Sequence, residues 1–176
     1  YFMDATNASR TLLMDIRNIS WSDDMCNLLK IPIEKLPEIK NSADDFGETS
    51  LFGGKIKISG VAGDQQAALF GQGCFEEGEA KSTYGTGCFM MLNTGSKIKL
   101  SKSNLLTTVG YKIGGKVTYA LEGSIFMAGA SVQWLRDNLG FFNTSPEIES
   151  LAKKSNNNSN VFFIPAFTGL GAPYWD

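Results

Sequence analysis

Histidine is absent from this sequence of 176 residues. Its absence excludes Ser-His-Asp and Cys-His catalytic triads, histidine-ligated metal sites and an imidazole general base. Proton transfer in any reaction must therefore use a carboxylate or another group without an imidazole ring.

An excess of positive charge is also lacking, because 16 Lys and Arg residues stand against 18 Asp and Glu residues, a formal net charge of −2. Proteins that bind nucleic acid or anionic membranes usually carry a basic patch or stripe. We therefore expect a small ligand and no nucleic-acid partner.

Long apolar runs are missing as well. None reaches the roughly 18 residues that a transmembrane helix needs, and the first residues lack the pattern of a signal peptide. Three cysteines without a Cys-x-x-Cys pair are typical of thiols in a reducing compartment. These features predict a soluble, cytoplasmic protein with no membrane insertion.

Because the chain starts at Tyr1 and stops directly after a loop, we expect it to be an internal part of a longer protein.

Glycine is the residue in excess, with 19 of 176 positions against roughly 7% in average usage. Many glycines follow segments with period-two alternation. Strands are predicted at residues 55–59, on both sides of a glycine bend within 76–95, and at 105–112 and 117–121, with a short buried strand at 161–165.

Helices are predicted at residues 10–18, directly after Ser22, at 65–70, and in the segment that starts near Phe126 and stops at Gly140. Residues 31–40, which hold two prolines, are predicted to be a surface connection, and residues 156–160 a polar loop. The mixture of strands and helices indicates an α/β protein.

Several nucleotide-binding patterns are absent. The sequence contains no Gly-x-x-x-x-Gly-Lys-Ser/Thr loop, no Gly-x-Gly-x-x-Gly fingerprint and no kinase His-Arg-Asp loop. Classical mononucleotide folds are therefore not supported.

Two short patterns remain as candidates for chemistry. Asp64 is predicted to lie between a strand and a helix, where open α/β sheets place their ligands, with Gln65 beside it. The Gly85-Thr86-Gly87 bend offers consecutive backbone N–H groups and a hydroxyl, which suit phosphate oxygens. Together they suggest phosphoryl transfer to an alcohol. Taken singly, a helix cap at Asp64, ordinary turn chemistry at the bend and tight packing at residues 128–131 explain the same patterns.

Longer motifs favour the functional interpretation of these patterns over the structural one. The sequence resembles the FGGY family of carbohydrate kinases, particularly its glycerol-phosphorylating branch, in blocks that follow one another along nearly the whole chain. These blocks lie at residues 6–11, 58–71, 83–89, 126–137 and 165–175.

The resemblance implies an actin-like ATPase fold with ribonuclease-H-like domains and an active site in the cleft between two domains. Residues 1–72 would be the C-terminal part of the first domain, and residues 73–176 the N-terminal part of the second. It also implies transfer of the γ-phosphoryl group of ATP to glycerol, yielding sn-glycerol 3-phosphate and ADP, in the presence of Mg²⁺. The implied protein is a cytoplasmic homo-oligomer, a dimer or a tetramer.

Roles for individual residues follow from the matching motifs. Asp64 would be the general base and bind glycerol together with Gln65, and Phe89 would form an apolar wall of the pocket. Mg²⁺ would be carried mainly by ATP, near Asp64. The implied nucleotide contacts are Gly85, Thr86, Gly129 and Gln133.

Other parts of the family's active site have no counterpart in this sequence. They are the first phosphate loop, an Arg-Glu pair that grips glycerol, and a glycine loop at adenine. We therefore expect this chain alone to be inactive. Two alternatives stay open: another sugar kinase of the family, such as a pentulose kinase, and a non-catalytic actin-like module that binds nucleotide.

Overall fold

The computed structural model describes residues 1–155 and 160–176. The described helices are α1 Ala5–Ala8, α2 Asp23–Leu28, α3 Asp64–Gly71, α4 Gly129–Asp137 and α5 Glu147–Lys154, with a 3₁₀ turn at Ile33–Lys35. The described strands are β1 Phe2–Asp4, β2 Met14–Asp15, β3 Ser20–Trp21, β4 Glu38–Lys40, β5 Glu48–Thr49, β6 Ile56–Lys57, β7 Ala80–Tyr84, β8 Cys88–Gly95, β9 Leu106–Ile113 and β10 Lys116–Ile125.

The chain forms two compact units. The first unit comprises Tyr1–Lys81 and Met91–Glu122, and the second comprises Ser82–Met90 and Gly123–Asp176. The domain boundary expected at residue 72 concerns the family's domains and stays a prediction. No helix among the described residues is long and apolar enough to cross a membrane.

The main sheet has four strands in the order β7, β8, β10, β9. Strands β9 and β10 form the hairpin that alternation and the Gly114-Gly115 turn predict, and β7 and β8 flank the predicted bend at residues 85–87. Both hairpins are therefore confirmed.

Two apolar cores lie in the first unit. Consecutive residues of a strand face opposite sides of a sheet, and in β10 Tyr119 belongs to one core while Ala120 belongs to the other. The Tyr119 core includes residues of α1, and the Ala120 core includes Leu69 of α3. Gly110 makes room for α3, because a Cβ there would lie 3.2 Å from Leu69 Cδ2. The two helices therefore pack on opposite faces of the β9–β10 ladder.

The α1 helix begins at an aspartate that is completely buried. Asp4 accepts hydrogen bonds from the backbone N–H groups of Thr6 and Asn7, from both of their side chains, and from Ser42 Oγ. Strand β1, which ends at Asp4, pairs in parallel with β4, and Ser42 follows that strand by two residues. One carboxylate thus joins the helix start to a distant loop.

Aromatic stacking marks the second unit. Trp134 of α4 stacks on Phe163 with ring centroids 5.6 Å apart and planes 9° from parallel. Phe167 also contacts Trp134, at 4.9 Å. These rings hold the segment before the C-terminal loop against α4.

The helix predicted at residues 10–18 is wrong. Leu12 and Ile19 have φ values of 64° and 52°, which a right-handed helix excludes, and β2 and β3 form a short ladder there. The helix lies earlier, at Ala5–Ala8, because Asp4 supplies the cap.

Three other expectations need correction. Residues 31–40 include a 3₁₀ turn and β4, so they are more than a surface connection. Residues 161–165 form no strand, and Val161 and Phe162 are each 85% exposed. Strand β6 ends at Lys57, so Asp64 follows a loop and not a strand. Of the polar loop predicted at 156–160, residues 156–159 lie outside the described residues.

The remaining helices agree with their sequence signals. Ser22 Oγ caps α2 by accepting from Met25 N, and α3 and α4 occur where predicted. Helix α5 was missed, although acidic residues lie in its first turn and lysines in its last, which is the usual helix signature.

Cys26 and Cys74 are buried and Cys88 is half-buried, and all three are free thiols.

Removal of the Asp4 carboxylate tests its structural role. We expect Asp4→Ala to destabilise the full-length protein by about 3 kcal/mol, because buried donors lose their acceptor and α1 loses its cap. Urea-induced unfolding followed by circular dichroism measures this. Asp45→Ala, an exposed aspartate of the same unit, is the control and should cost less than about 1 kcal/mol. Equal costs for both variants would contradict the role of Asp4.

Candidate active site

Asp64 is the first residue of α3, and its side chain is exposed. Its Oδ1 accepts from Gln65 N at 2.9 Å, and its Oδ2 lies 3.3 Å from Gln65 Nε2. The first turn of a helix favours negative charge. An accessible carboxylate is therefore fixed at this helix start.

A chain of two hydrogen bonds, one partly buried and one buried, holds the residue before Asp64. Gly63 N donates to Thr6 Oγ1 at 2.8 Å, and Thr6 Oγ1 donates to Asp4 Oδ1 at 3.0 Å. A Cβ on Gly63 would lie 2.6 Å from Gln66 Oε1, so a larger residue at that position would require the Gln66 side chain to shift. Asp4 therefore positions both α1 and the start of α3.

Sequence reasoning missed Lys81. It lies on β7, is only 5% exposed, and its Nζ donates to Gln65 Oε1. Burial lowers the pKa of the Lys81 ammonium, while the carboxylates of Glu122 and Asp64 act in the opposite direction. The sequence signal that could have found Lys81 is the alternation of β7. Lys81 and Thr83 are two residues apart, so their side chains lie on the same, inward-facing side of the strand.

A charged pair lies in the same unit. Glu122 of β10 is 3% exposed and accepts from Arg10 Nη2 at 2.9 Å. A buried carboxylate without a partner would be costly, so Arg10 has a structural reason for its position.

The glycine bend of the second unit packs directly on the start of α4. Gly129 N donates to Gly85 O at 2.9 Å, and Ala128 N donates to Thr86 O at 2.8 Å. A Cβ on Gly129 would lie 2.5 Å from Gly85 O, and one on Gly87 would lie 2.5 Å from Ile125 O. The close approach predicted at residues 128–131 is confirmed, and the approaching group is the backbone of the bend.

The other predicted site residues also have defined positions. Thr86 is exposed at the bend, Gln133 is exposed one turn after Gly129 on α4, and Phe89 is half-buried on β8. The structure thus brings Asp64 and Gln65 together in the first unit. In the second unit it brings Gly85, Thr86 and Gly129 together.

Metal ligands are sparse near these groups. Across residues 1–155 and 160–176, no three acidic or cysteine side chains lie close enough together to hold a metal ion. Mg²⁺ commonly binds through one or two carboxylates plus substrate phosphates. The carboxylate of Asp64 would fit a metal that arrives with a nucleotide.

The Thr6 hydroxyl offers a test of the Asp4–Thr6–Gly63 chain. Thr6→Val keeps the shape but leaves Gly63 N–H without its acceptor, so we expect a loss of about 1–3 kcal/mol in unfolding free energy. Thr6→Ser retains the hydroxyl and is the matched control. If valine proved no worse than serine in urea unfolding, this hydroxyl would not hold Gly63.

Glycine-to-alanine changes at two helix positions test the contact of α4 with the bend. In a helix alanine is normally preferred over glycine, and Gly71, the last residue of α3, has nothing within 4 Å of its Cβ position. We expect Gly71→Ala to be neutral or stabilising. Gly129→Ala should cost about 1–3 kcal/mol, because its Cβ would overlap Gly85 O. Thermal unfolding of both variants measures the difference, and the same sign for both would refute the contact.

Comparisons with known proteins agree with this arrangement. Residues 1–71 match the N-terminal domain of the FGGY family of carbohydrate kinases, and residues 80–176 match the C-terminal domain of the same family. A glycerol kinase of Alteromonas mediterranea is 60% identical over 175 residues, which covers 98% of this chain and 35% of that protein. A glycerol kinase of Streptococcus pyogenes serotype M4 is 56% identical, with the same coverage. The chain therefore spans about a third of the length of these relatives.

Solved structures show the same fold. The crystal structure of Plasmodium falciparum glycerol kinase with ADP is 45% identical with a TM-score of 0.85, covering 99% of this chain and 36% of that one. A ligand-bound xylulose kinase from Lactobacillus acidophilus is 22% identical with a TM-score of 0.79, at the same coverage, and shares the fold alone. The predicted actin-like ATPase fold is confirmed. The chain belongs to the FGGY family of carbohydrate kinases.

Proposed function

We propose that the protein containing this chain transfers the γ-phosphoryl group of ATP to glycerol, producing sn-glycerol 3-phosphate. The observation that carries the proposal is the exposed carboxylate of Asp64, fixed at the start of α3 by a chain of hydrogen bonds. The identity of 56–60% with glycerol kinases over nearly the whole chain supports glycerol as the acceptor.

Asp64 is the proposed general base. Phosphoryl transfer has a loose transition state, so the enzyme mainly positions the reactants and neutralises charge. A carboxylate then accepts the hydroxyl proton as the new bond to phosphorus forms. The fixed start of α3 would hold Asp64 for this step, and the 176 residues of this chain contain no histidine that could take its place.

Gln65 and Phe89 are the proposed acceptor contacts. Gln65 carries an amide beside the carboxylate of Asp64, which suits a polyol that needs both donors and acceptors. Phe89 would supply the apolar wall for the carbon chain of glycerol.

Gly85, Thr86, Gly129 and Gln133 are the proposed nucleotide contacts. The N–H groups of Ala128 and Gly129 already donate to the bend, so Gly129 would serve by permitting close approach and not as a donor. The exposed Thr86 hydroxyl would meet phosphate oxygens, and Gln133 would line the nucleoside side. The related structure from Plasmodium falciparum contains ADP, which supports ATP and ADP as ligands.

Mg²⁺ is proposed as a companion of ATP. When bound, it would neutralise charge on the phosphates, and Asp64 would be the nearby carboxylate.

The domain limits, assembly and location are parts of the same proposal. Residues 1–72 would belong to the first family domain and residues 73–176 to the second, in line with the matched ranges. A homo-oligomer, dimer or tetramer, rests on family membership alone. A cytoplasmic location likewise rests on family membership.

Asp64→Asn tests the proposed base. The asparagine keeps the size of the side chain but cannot accept the proton as a carboxylate does, so we expect kcat of the full-length protein to fall about 100-fold to 10,000-fold. The Kd for glycerol should change only a few-fold, because the geometry is retained. A coupled ADP-release assay and calorimetry measure the two quantities.

A matched control lies in α2. Asp24 is likewise an exposed aspartate in a first helical turn, so Asp24→Asn should leave kcat unchanged. Near-normal turnover in Asp64→Asn would remove Asp64 from the role of base.

A further inference from the structure

Lys81 is a charged residue at a position where a strand turns its side chain inward. Its neighbours Ala80 and Ser82 are exposed, while Lys81 itself is 5% exposed. Lysine is almost never fully buried unless it is paired. A specific partner is therefore expected for its ammonium group.

One group that its Nζ contacts is the amide of Gln65. An ammonium group has donors only, so the atom that it contacts must be the amide oxygen, Oε1. The orientation of the amide is then determined, because Nε2 must point the other way. Nε2 lies 3.3 Å from Asp64 Oδ2, which has lone pairs to accept its N–H.

Two carboxylates, the buried Glu122 and the exposed Asp64, balance the ammonium charge. Attraction by Glu122 and Asp64 favours protonated Lys81, against the effect of burial. Glu122 in turn is held by Arg10 at 2.9 Å. The charged form that donates to Gln65 is therefore supported from two sides.

We propose that Lys81 is a positioning residue that fixes the Gln65 amide, with Oε1 on the ammonium and Nε2 on the carboxylate of the proposed base. The proposal rests on the proposed function for the identity of the base. With one N–H of Nε2 directed at Asp64, the other is available to a hydroxyl oxygen of the acceptor alcohol. Lys81 thereby sets which end of the amide meets the acceptor, without touching it.

A double-mutant cycle in the full-length protein tests this. The variants are Lys81→Met, Gln65→Ala and the double variant, with Lys116→Met, an exposed lysine of the β9–β10 hairpin, as control. We expect Lys81→Met to lower kcat/KM for the acceptor about 10-fold to 100-fold, the size of a hydrogen bond to a charged group. The KM for ATP and the Kd for ADP should change less than about twofold, and Lys116→Met should match the wild type.

Coupling is the decisive outcome of the cycle. If Lys81 acts through Gln65, the double variant should be no worse than the worse single variant. Additive losses, or equal losses for the acceptor and for ATP, would overturn the proposal, since a merely structural lysine would affect both substrates.

A measurement on the wild-type protein covers the case in which Lys81→Met does not fold. Nitrogen-15 NMR should show slowed solvent exchange of one Nε2 proton of Gln65, while the exposed Gln133 exchanges freely. Free exchange of both Gln65 protons would refute the fixed amide. The exchange measurement does not depend on turnover. If the wild-type protein did not phosphorylate glycerol, the proposed function would be contradicted, and the NMR result would still decide the role of Lys81.

Discussion

The first unit depends on one buried carboxylate. Asp4 ends β1, caps α1, receives Ser42 from the loop after β4, and holds the Thr6 hydroxyl that accepts Gly63 N–H. A buried charge is stable only when hydrogen bonds replace its lost hydration. The five donors around Asp4 meet this requirement, and the same bonds fix the residue that precedes Asp64. The position of the proposed base is thus a consequence of how one buried charge is satisfied.

The second unit uses backbone contact instead of charge. Gly129 lets the start of α4 approach the bend so closely that a Cβ there would lie 2.5 Å from Gly85 O, and Gly87 brings the bend equally close to Ile125 O at the end of β10. The bend satisfies the first N–H groups of the helix, which otherwise need caps or ligands. The exposed Thr86 is then presented by a rigid support, as a phosphate contact would require.

Local signals predicted the parts of the fold that depend on neighbours in sequence. The β9–β10 hairpin and α3 follow from alternation, turn glycines and apolar spacing. Prediction failed where a distant partner decides the structure. The position of α1 depends on Asp4, whose burial requires Ser42, and β4 exists because β1 pairs with it. For the candidate site, sequence motifs indicated Asp64 and the bend, but not Lys81, because its partner Gln65 lies 16 residues away. The catalytic and binding roles themselves stay predictions.

The central claim is that the full-length protein phosphorylates glycerol in preference to other acceptor alcohols. Competition between glycerol and xylulose, with products separated by phosphorus-31 NMR after incubation with ATP and Mg²⁺, tests it most directly. The account predicts sn-glycerol 3-phosphate as the dominant product. Preferential phosphorylation of xylulose, or nucleotide binding with no phosphorylated product, would contradict it.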